Sequence, residues 1–456
     1  MEYLAFWMFP LLLLLLLTGY PVAFALGGTA VVFTLLFSDL LPNLGVFAFP
    51  WEPAFSAQRL LILPQRIFGS IMNNYTLLAV PFFVFMGVML ERSGLAEDLL
   101  QTMGRLFGRM RGGLAISVVV VGALLAASTG IVGASVVTMT VLALPVMLKY
   151  GYDRGLASGT IAASGTLGQV IPPSIVLIIL GDQMVRVNVG DLFLGALLPG
   201  LLLAGLYISW IAVYAFFRVE RAPAMPSVDE DFAVSNLWLA ITRSLLPPLL
   251  LVGVVLGTIF MGIASPTEAG AMGAFGATIL AFVNGRLNLT NVRAVNEQTV
   301  RLTSMVFIIL VGATTFAMVF NALGGHWIVQ DFLSNLPGGK WGFLALVMLT
   351  IFLLGFFLDF IEITFIVVPL VTPVAISLGF DPVWFGVLIA MNLQASFLTP
   401  PFGFALFFLR GAAPPSVSTQ DIYRGIVPFI AIQLITLGLL VLFPNLALWL
   451  PGRSGP

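Results

Sequence analysis

Apolar residues in this chain come in long blocks rather than in short periods. It opens with "FWMFPLLLLLLL" and later runs through "LLPPLLLVGVVLG" and "ISVVVVGALLAAS". Blocks of this kind predict membrane crossings, since about 20 apolar residues span a bilayer as a helix. Candidate crossings fall at 4–18, 21–38, 60–92, 155–183, 191–218, 246–262, 267–285, 301–324, 383–410 and 421–445. Segments 113–148 and 341–377 are apolar too, but each is too long for one crossing and too short for two. The pattern predicts a re-entrant helical hairpin for each, with its tip buried in protein or lining a wet cavity. The first block lacks a basic leader and a small-residue cleavage site, so it reads as a retained helix.

Two crossings are interrupted in the same way. "GTLGQVIPPS" (Gly165 to Ser174) and "ASFLTPPFGF" (Ala395 to Phe404) place glycines, a proline pair and polar side chains inside apolar runs. Laying 145–173 over 373–401, an offset of 228, brings Pro145 onto Pro373, Gly151 onto Gly379, Asp153 onto Asp381 and the two proline pairs together. Further out, Asp191 and Gly195 match Asp421 and Gly425. The chain is therefore read as two repeats, 1–218 and 246–456, joined by a polar, proline-rich linker with an interfacial helix at 219–245. Each repeat holds five crossings and one hairpin. Five is odd, so the second copy is inverted. Inverted repeats with paired broken helices mark secondary transporters. Unwinding frees backbone carbonyls for a cation and N–H groups for a carboxylate. Proline suits a helix start, so "IPPS" and "TPPF" are expected to form the first turns of the second half-helices. Gly165, Gly168 and Gly403 are expected to allow close backbone approach.

Composition agrees with an all-α polytopic membrane protein. The chain of 456 residues is 60% hydrophobic and 9% charged, against about 25% charged in soluble domains. There is no cysteine and one histidine, His326, which removes thiolate and multi-histidine metal sites and cysteine nucleophiles. The net charge of −1 argues against nucleic acid as a partner. With ten crossings, 14 of the 19 basic residues fall on one side and 5 on the other. The positive-inside rule makes the first side cytoplasmic and puts both termini outside.

The stretches "TGYPVAFALG", "GYD" with "TIAASGTLGQVIPPSI", "SPTEAGAMGA", "LDFIEITFIVVPL" and "NLQASFLTPPFG" resemble the large membrane subunit of tripartite ATP-independent periplasmic (TRAP) transporters over nearly the whole chain. The resemblance implies an elevator-type, sodium-driven symporter in the bacterial inner membrane, with a scaffold part and a moving transport part. It implies import of a small organic acid anion, such as a C4-dicarboxylate, delivered by a periplasmic binding protein. It also implies a separate small membrane subunit of about four helices, no ATP, and no cofactor beyond sodium as the coupling ion. Carried over by position, one sodium site would use Ser128, Thr129 and Gly130 at the first hairpin tip with Gly165 and Thr166. The other would use Asp359, Glu362 and Thr364 of the second hairpin with Ser396 and Thr399. Substrate is expected near Ser164, Gln169, Ser174 and Gln394. This chain departs from the common family pattern at Ile131 and Ser135 beyond the first tip, and at Phe360 and Glu362 in the second hairpin.

Other readings stand beside this one. Asp359 and Glu362 are three apart at membrane depth, where carboxylates are costly and usually functional. They suit a proton-coupled carrier, or they sit in water at an outer mouth. Ser and Thr at the breaks suit ion binding, or they bond back to their own helix around a plain kink. A membrane enzyme lacks support: neither "GxSxG" nor "GxxxxGK[ST]" occurs. A channel more often repeats by rotation around a pore. The four-residue spacing of Gly122, Ala126, Gly130 and Ala134 fits close helix packing. "SPTEAG" (Ser265 to Gly270) predicts a capped helix start with Glu268 in its first turn. Residues 93–111 predict an interfacial helix with Leu95, Leu99, Leu106 and Met110 on its apolar side, and "HWIVQDFLSNL" is its outer counterpart.

Overall fold

The computed structural model describes residues 4–44, 57–129, 132–225 and 242–453. Within them the chain is helical and no strand occurs. Five helices are individually long and apolar enough to cross a membrane: 22–43, Val132–Lys149, Val189–Phe217, Leu289–Ala322 and Thr419–Leu442. Other apolar segments are shorter or bent, such as Phe360–Ile366 with Val368–Ser377, which turns by 55°. Both hairpins form. The first has an outgoing arm Gly113–Thr129 and a returning arm Val132–Lys149. The second has an outgoing arm Gly339–Leu354 and the bent returning pair.

The repeats interlace. Helix Val22–Leu35 packs on Leu289–Ala322, and its partner by repeat, Pro266–Val283, packs on Ala79–Arg92. The same reciprocity governs the hairpins. The first returning arm meets Phe404–Ala412 of the second broken helix, and the second returning arm meets Ile175–Gln183 of the first. Such crossed pairs are what a two-fold axis between inverted copies produces. Helices Arg154–Thr166 and Thr419–Leu442 cross closely at Gly155, Gly159 and Gly425, and a Cβ added at Gly159 or Gly425 would strike the facing backbone.

Local signals place the helix ends. Asp153 and Asp381, equivalent by the repeat, cap their broken helices, accepting amides of Leu156 (3.0 Å) and of Val383 and Trp384 (2.8 and 3.1 Å). Ser265 and Glu268 form the expected capping box, with the Ser265 amide donating to Glu268 at 2.7 Å. The interfacial helix runs Leu95–Phe107 and packs on the first outgoing arm. Its buried side is Leu95, Leu99, Leu100 and Met103, whereas Leu106 and Met110 are exposed. Met110 lies beyond the last helical residue, so the periodicity no longer carries it. His326 is an exposed residue of the outer counterpart, Gly325–Ser334. After helix Val189–Phe217 the linker turns back. The Gly112 amide donates to Ala222 and the Met225 amide to Gly108. Most of the predicted interfacial part of the linker, 226–241, lies outside the described residues.

Candidate functional site

The first broken helix is Arg154–Thr166, a 3-10 turn Leu167–Gln169, a non-helical stretch, and Ile175–Gln183. The second is Pro382–Leu398 followed, after 399–403, by Phe404–Ala412. Both proline pairs lie in the unwound stretches, not in the first helical turns that their sequence suggests. A residue before proline is driven out of the α region, so each proline pair interrupts the helix. The chain bends through 171–173 and turns through 400–402, where the Gly403 amide donates to the Thr399 carbonyl at 3.1 Å, before Ile175 and Phe404 restart it. The Ser174 hydroxyl closes the first break by donating to the Gln169 carbonyl at 2.7 Å.

The two breaks meet. The Gln394 side-chain amide donates to the Thr166 hydroxyl at 3.3 Å. These residues are equivalents at the offset of 228, and equivalents related by a two-fold can touch only beside its axis. The pair therefore marks the axis, between two unwound segments. Thr166 and Gln394 are fully buried, as are Ser164, Gln169, Ser174 and Ser396.

Each hairpin seats on its own broken helix through one glycine. A Cβ on Gly122 would overlap Ser164, and a Cβ on Gly355 would overlap Ser396. At the second hairpin the Phe357 ring also lies 5.1 Å from that of Phe402, joining the hairpin turn to the second break. Asp359 and Glu362 start the returning arm. Asp359 Oδ1 accepts the Phe360 amide at 2.7 Å, and Glu362 accepts the Asp359 amide at 2.9 Å. Both carboxylates thus cap a helix N-terminus, a favourable place for negative charge. Glu362 is 8% exposed and Thr364 fully buried. The arm that carries them packs against Ile175–Gln183. Ser128 and Thr129 end the first outgoing arm, and Gly130 lies outside the described residues.

The hydroxyls at the breaks donate into their own helices: Thr166 to Ala163 (2.9 Å), Ser396 to Leu393 (2.8 Å) and Thr399 to Ala395 (2.8 Å). This is the bonding of a plain kink. It also commits each hydroxyl proton and leaves oxygen lone pairs free to accept. Around the breaks, Thr160 Oγ1, both polar atoms of Gln169, Thr364 Oγ1 and Gln394 Oε1 are buried and find no hydrogen-bond partner in the chain. An unmet buried polar group costs about 1–3 kcal/mol, so these atoms favour a polar guest. The donor set is all oxygen and amide, suited to a hard monovalent cation or a small polar solute. No cluster of three His, Cys, Asp or Glu occurs among the described residues. Sequence reasoning expected the two breaks to meet near the midplane, and they do meet, but it missed Gly355 and the pairing of Thr166 with Gln394. The offset itself held the signal for the latter, since it pairs two polar residues inside apolar runs.

An interlaced inverted repeat whose broken helices meet on its axis is the build of a secondary transporter. Residues 9–446 match the family described as "Tripartite ATP-independent periplasmic transporter, DctM component", and the chain belongs to that family. It is 32% identical over 402 residues to the C4-dicarboxylate TRAP transporter large permease protein DctM of Pseudomonas aeruginosa, covering 88% of this chain and 92% of that one. It is 30% identical to the sialic acid TRAP transporter large permease protein SiaM of Vibrio cholerae, covering 96% of each. The crystal structure of the Alcanivorax borkumensis YdaH transporter matches in fold, with a TM-score of 0.64 at 17% identity, covering 94% of this chain and 100% of that one.

Proposed function

We propose that this chain is the translocating subunit of a sodium-coupled symporter of the inner membrane that imports a small organic acid anion. A periplasmic binding protein delivers the anion, and a small membrane subunit of about four helices completes the complex. On this reading the chain makes ten crossings and two hairpins, and the excess of basic residues on one side supports periplasmic termini. Helices Val22–Leu35, Ala79–Arg92, Pro266–Val283 and Leu289–Ala322 form the scaffold, and the hairpins with the broken helices move against it as an elevator. The observation that supports this reading is the meeting of the two unwound segments at Thr166 and Gln394. Oxygen atoms there can hold sodium without a buried formal charge at the first break. Relatives named for C4-dicarboxylates and sialic acid support a carboxylate substrate.

The test is uptake by vesicles that hold this chain with its small membrane subunit, supplied with loaded binding protein. Uptake should require an inward sodium gradient, and free substrate should be a poor donor. Vigorous uptake of free substrate by this chain alone would sink the tripartite reading. A second reading, proton coupling, draws on Asp359 and Glu362, the carboxylate pair at the second hairpin. Uptake driven by a pH gradient in sodium-free buffer would favour it.

A further inference from the structure

At the end of the molecule where Arg154–Thr166 and Thr419–Leu442 both begin, a cavity of about 330 Å³ opens beside Trp210 and Tyr214. Arg221 and Arg424 line it together with Asp153 and Asp421, and Arg154 stands near Asp421. Arg221 stands beside Tyr214. Among the described residues no ion pair joins Arg221, Arg424 or Arg154 to a carboxylate. Asp153 commits Oδ1 to the Leu156 amide. Asp421 commits Oδ2 to the amide and hydroxyl of Ser418, at 3.0 and 2.7 Å. The other oxygen of each carboxylate stays available.

The repeat supplies an internal control. At the opposite end of the molecule the equivalents Asp381 and Asp191 keep their acids, and Asn188 caps as Ser418 does, accepting the Gly190 amide at 2.9 Å. Arg154 and Arg424, however, become Pro382 and Leu194 there. The aspartates belong to the helix starts and Arg154 and Arg424 do not, so the fold itself does not call for those two. Trp210 and Tyr214 stand near the end of a 29-residue apolar helix, the position where aromatic side chains meet lipid headgroups.

We infer that this cavity binds a zwitterionic phosphoethanolamine group, its phosphate held by Arg221 and Arg424 and its ammonium by the free oxygens of Asp153 and Asp421. Guanidinium suits phosphate by forked hydrogen bonding. A primary ammonium brings three donors to the two carboxylates. A purely anionic headgroup would face both aspartates at close range. The source of the group is phosphatidylethanolamine of the leaflet at this end, a role separate from the transport reaction.

The full chain, placed in nanodiscs of equal parts phosphatidylethanolamine and phosphatidylglycerol and re-extracted in mild detergent, is assayed for retained lipid by native mass spectrometry. Both leaflets carry both lipids, so an error in the membrane orientation leaves the result unchanged. Wild type should retain phosphatidylethanolamine over phosphatidylglycerol. Arg221→Gln and Arg424→Gln should each lower that retention roughly tenfold, and Arg293→Gln should not. Asp153→Asn keeps a helix cap, since asparagine caps as well as aspartate, and should turn the preference toward phosphatidylglycerol. A melting shift of delipidated protein with soluble phosphoethanolamine, lost in the arginine variants, would keep the chemistry and make the source a soluble one. Unchanged lipid retention in well-folded Arg424→Gln and Asp153→Asn would overturn the assignment.

Discussion

The same helix crossing is built twice in this molecule with different residues. In one copy Gly425 faces Gly155 and Gly159. In the other its equivalent, Gly195, faces Val383 and Val387, which are the equivalents of those two glycines. The first crossing brings backbone against backbone. The second leaves room for two branched side chains. A similar contrast holds at the sites. The first break carries hydroxyls and amides only, whereas the second hairpin adds Asp359 and Glu362. Since both copies break their helices, the break belongs to the fold and the carboxylates are an addition to one half.

The largest effect is expected at the tight crossing. Gly425→Val puts a side chain where the Gly155 backbone lies, and nothing there is a flexible end that can yield. Overpacking costs about 1–3 kcal/mol in ordinary cores and more against backbone, so the variant should lose most folded protein in detergent extracts. Gly195→Ala meets the Val383 side chain at 2.9 Å and the Ala447 carbonyl at 3.0 Å, contacts that need only small shifts, and should lower the melting temperature by only a few degrees, roughly 1 kcal/mol in effect. Equal losses in the two variants would break the contrast.

Next comes the added charge. Asp359→Asn preserves a helix cap, and Glu362→Gln keeps an oxygen that can accept the Asp359 amide. Under sodium coupling, uptake should survive in both with a raised sodium requirement, on the order of several-fold. Under proton coupling the titrating group is gone, and net uptake should vanish while exchange persists. A sodium titration of uptake beside a pH-jump assay separates these outcomes. At the first break, Thr166→Val keeps shape and removes the hydroxyl that Gln394 reaches. It should weaken sodium activation more than it lowers expression, and an unchanged activation curve would remove Thr166 from the site.

Much of this was legible because inversion leaves marks that one sequence preserves. Pro172 and Pro400, Asp153 and Asp381, and Gly151 and Gly379 all recur at one spacing, and hairpin lengths followed from bilayer thickness. Which face of a surface helix turns inward was less legible. Leu106 shares the periodicity of Leu99 yet stays exposed, because burial depends on how far the neighbouring arm reaches. The seat of Gly355 on Ser396 was hidden for the same reason: it joins residues distant in sequence, and no spacing encodes it. The proline pairs were misplaced by a few residues because their preference for helix starts competes with the constraint that proline puts on the residue before it.

The smallest effect concerns how each hairpin and its broken helix would meet the proposed scaffold. On the first-repeat side the Thr138 hydroxyl donates to Glu91 at 2.7 Å, and Asn74, just ahead of the same scaffold helix, donates to Asp182 at 2.6 Å. On the second-repeat side no side-chain hydrogen bond of Leu289–Ala322 reaches the hairpin among the described residues. Instead an apolar crevice of about 310 Å³ lies between Phe316 and Phe320 and the returning arm at Phe365 and Pro369. If the hairpins slide on the scaffold, the first pair of contacts holds one position and must break during each cycle, whereas the crevice resists little. A hydrogen bond to a charged group is worth about 1.5–3 kcal/mol when both partners stay buried and less when half-buried, so Thr138→Val should shift the balance between positions roughly fivefold. The chain has no cysteine, so Glu91→Cys with Thr138→Cys gives a clean readout of that position. Oxidised, the pair should crosslink and halt uptake. Adding Asn74→Ala to the cysteine pair should slow crosslinking. If the hairpins move as one body, a matched cysteine pair at Phe320 and Phe365 across the crevice should slow to the same degree when Asn74→Ala is added. A crosslinking rate at Glu91 and Thr138 that ignores Asn74→Ala would show that the two polar contacts do not hold the same position.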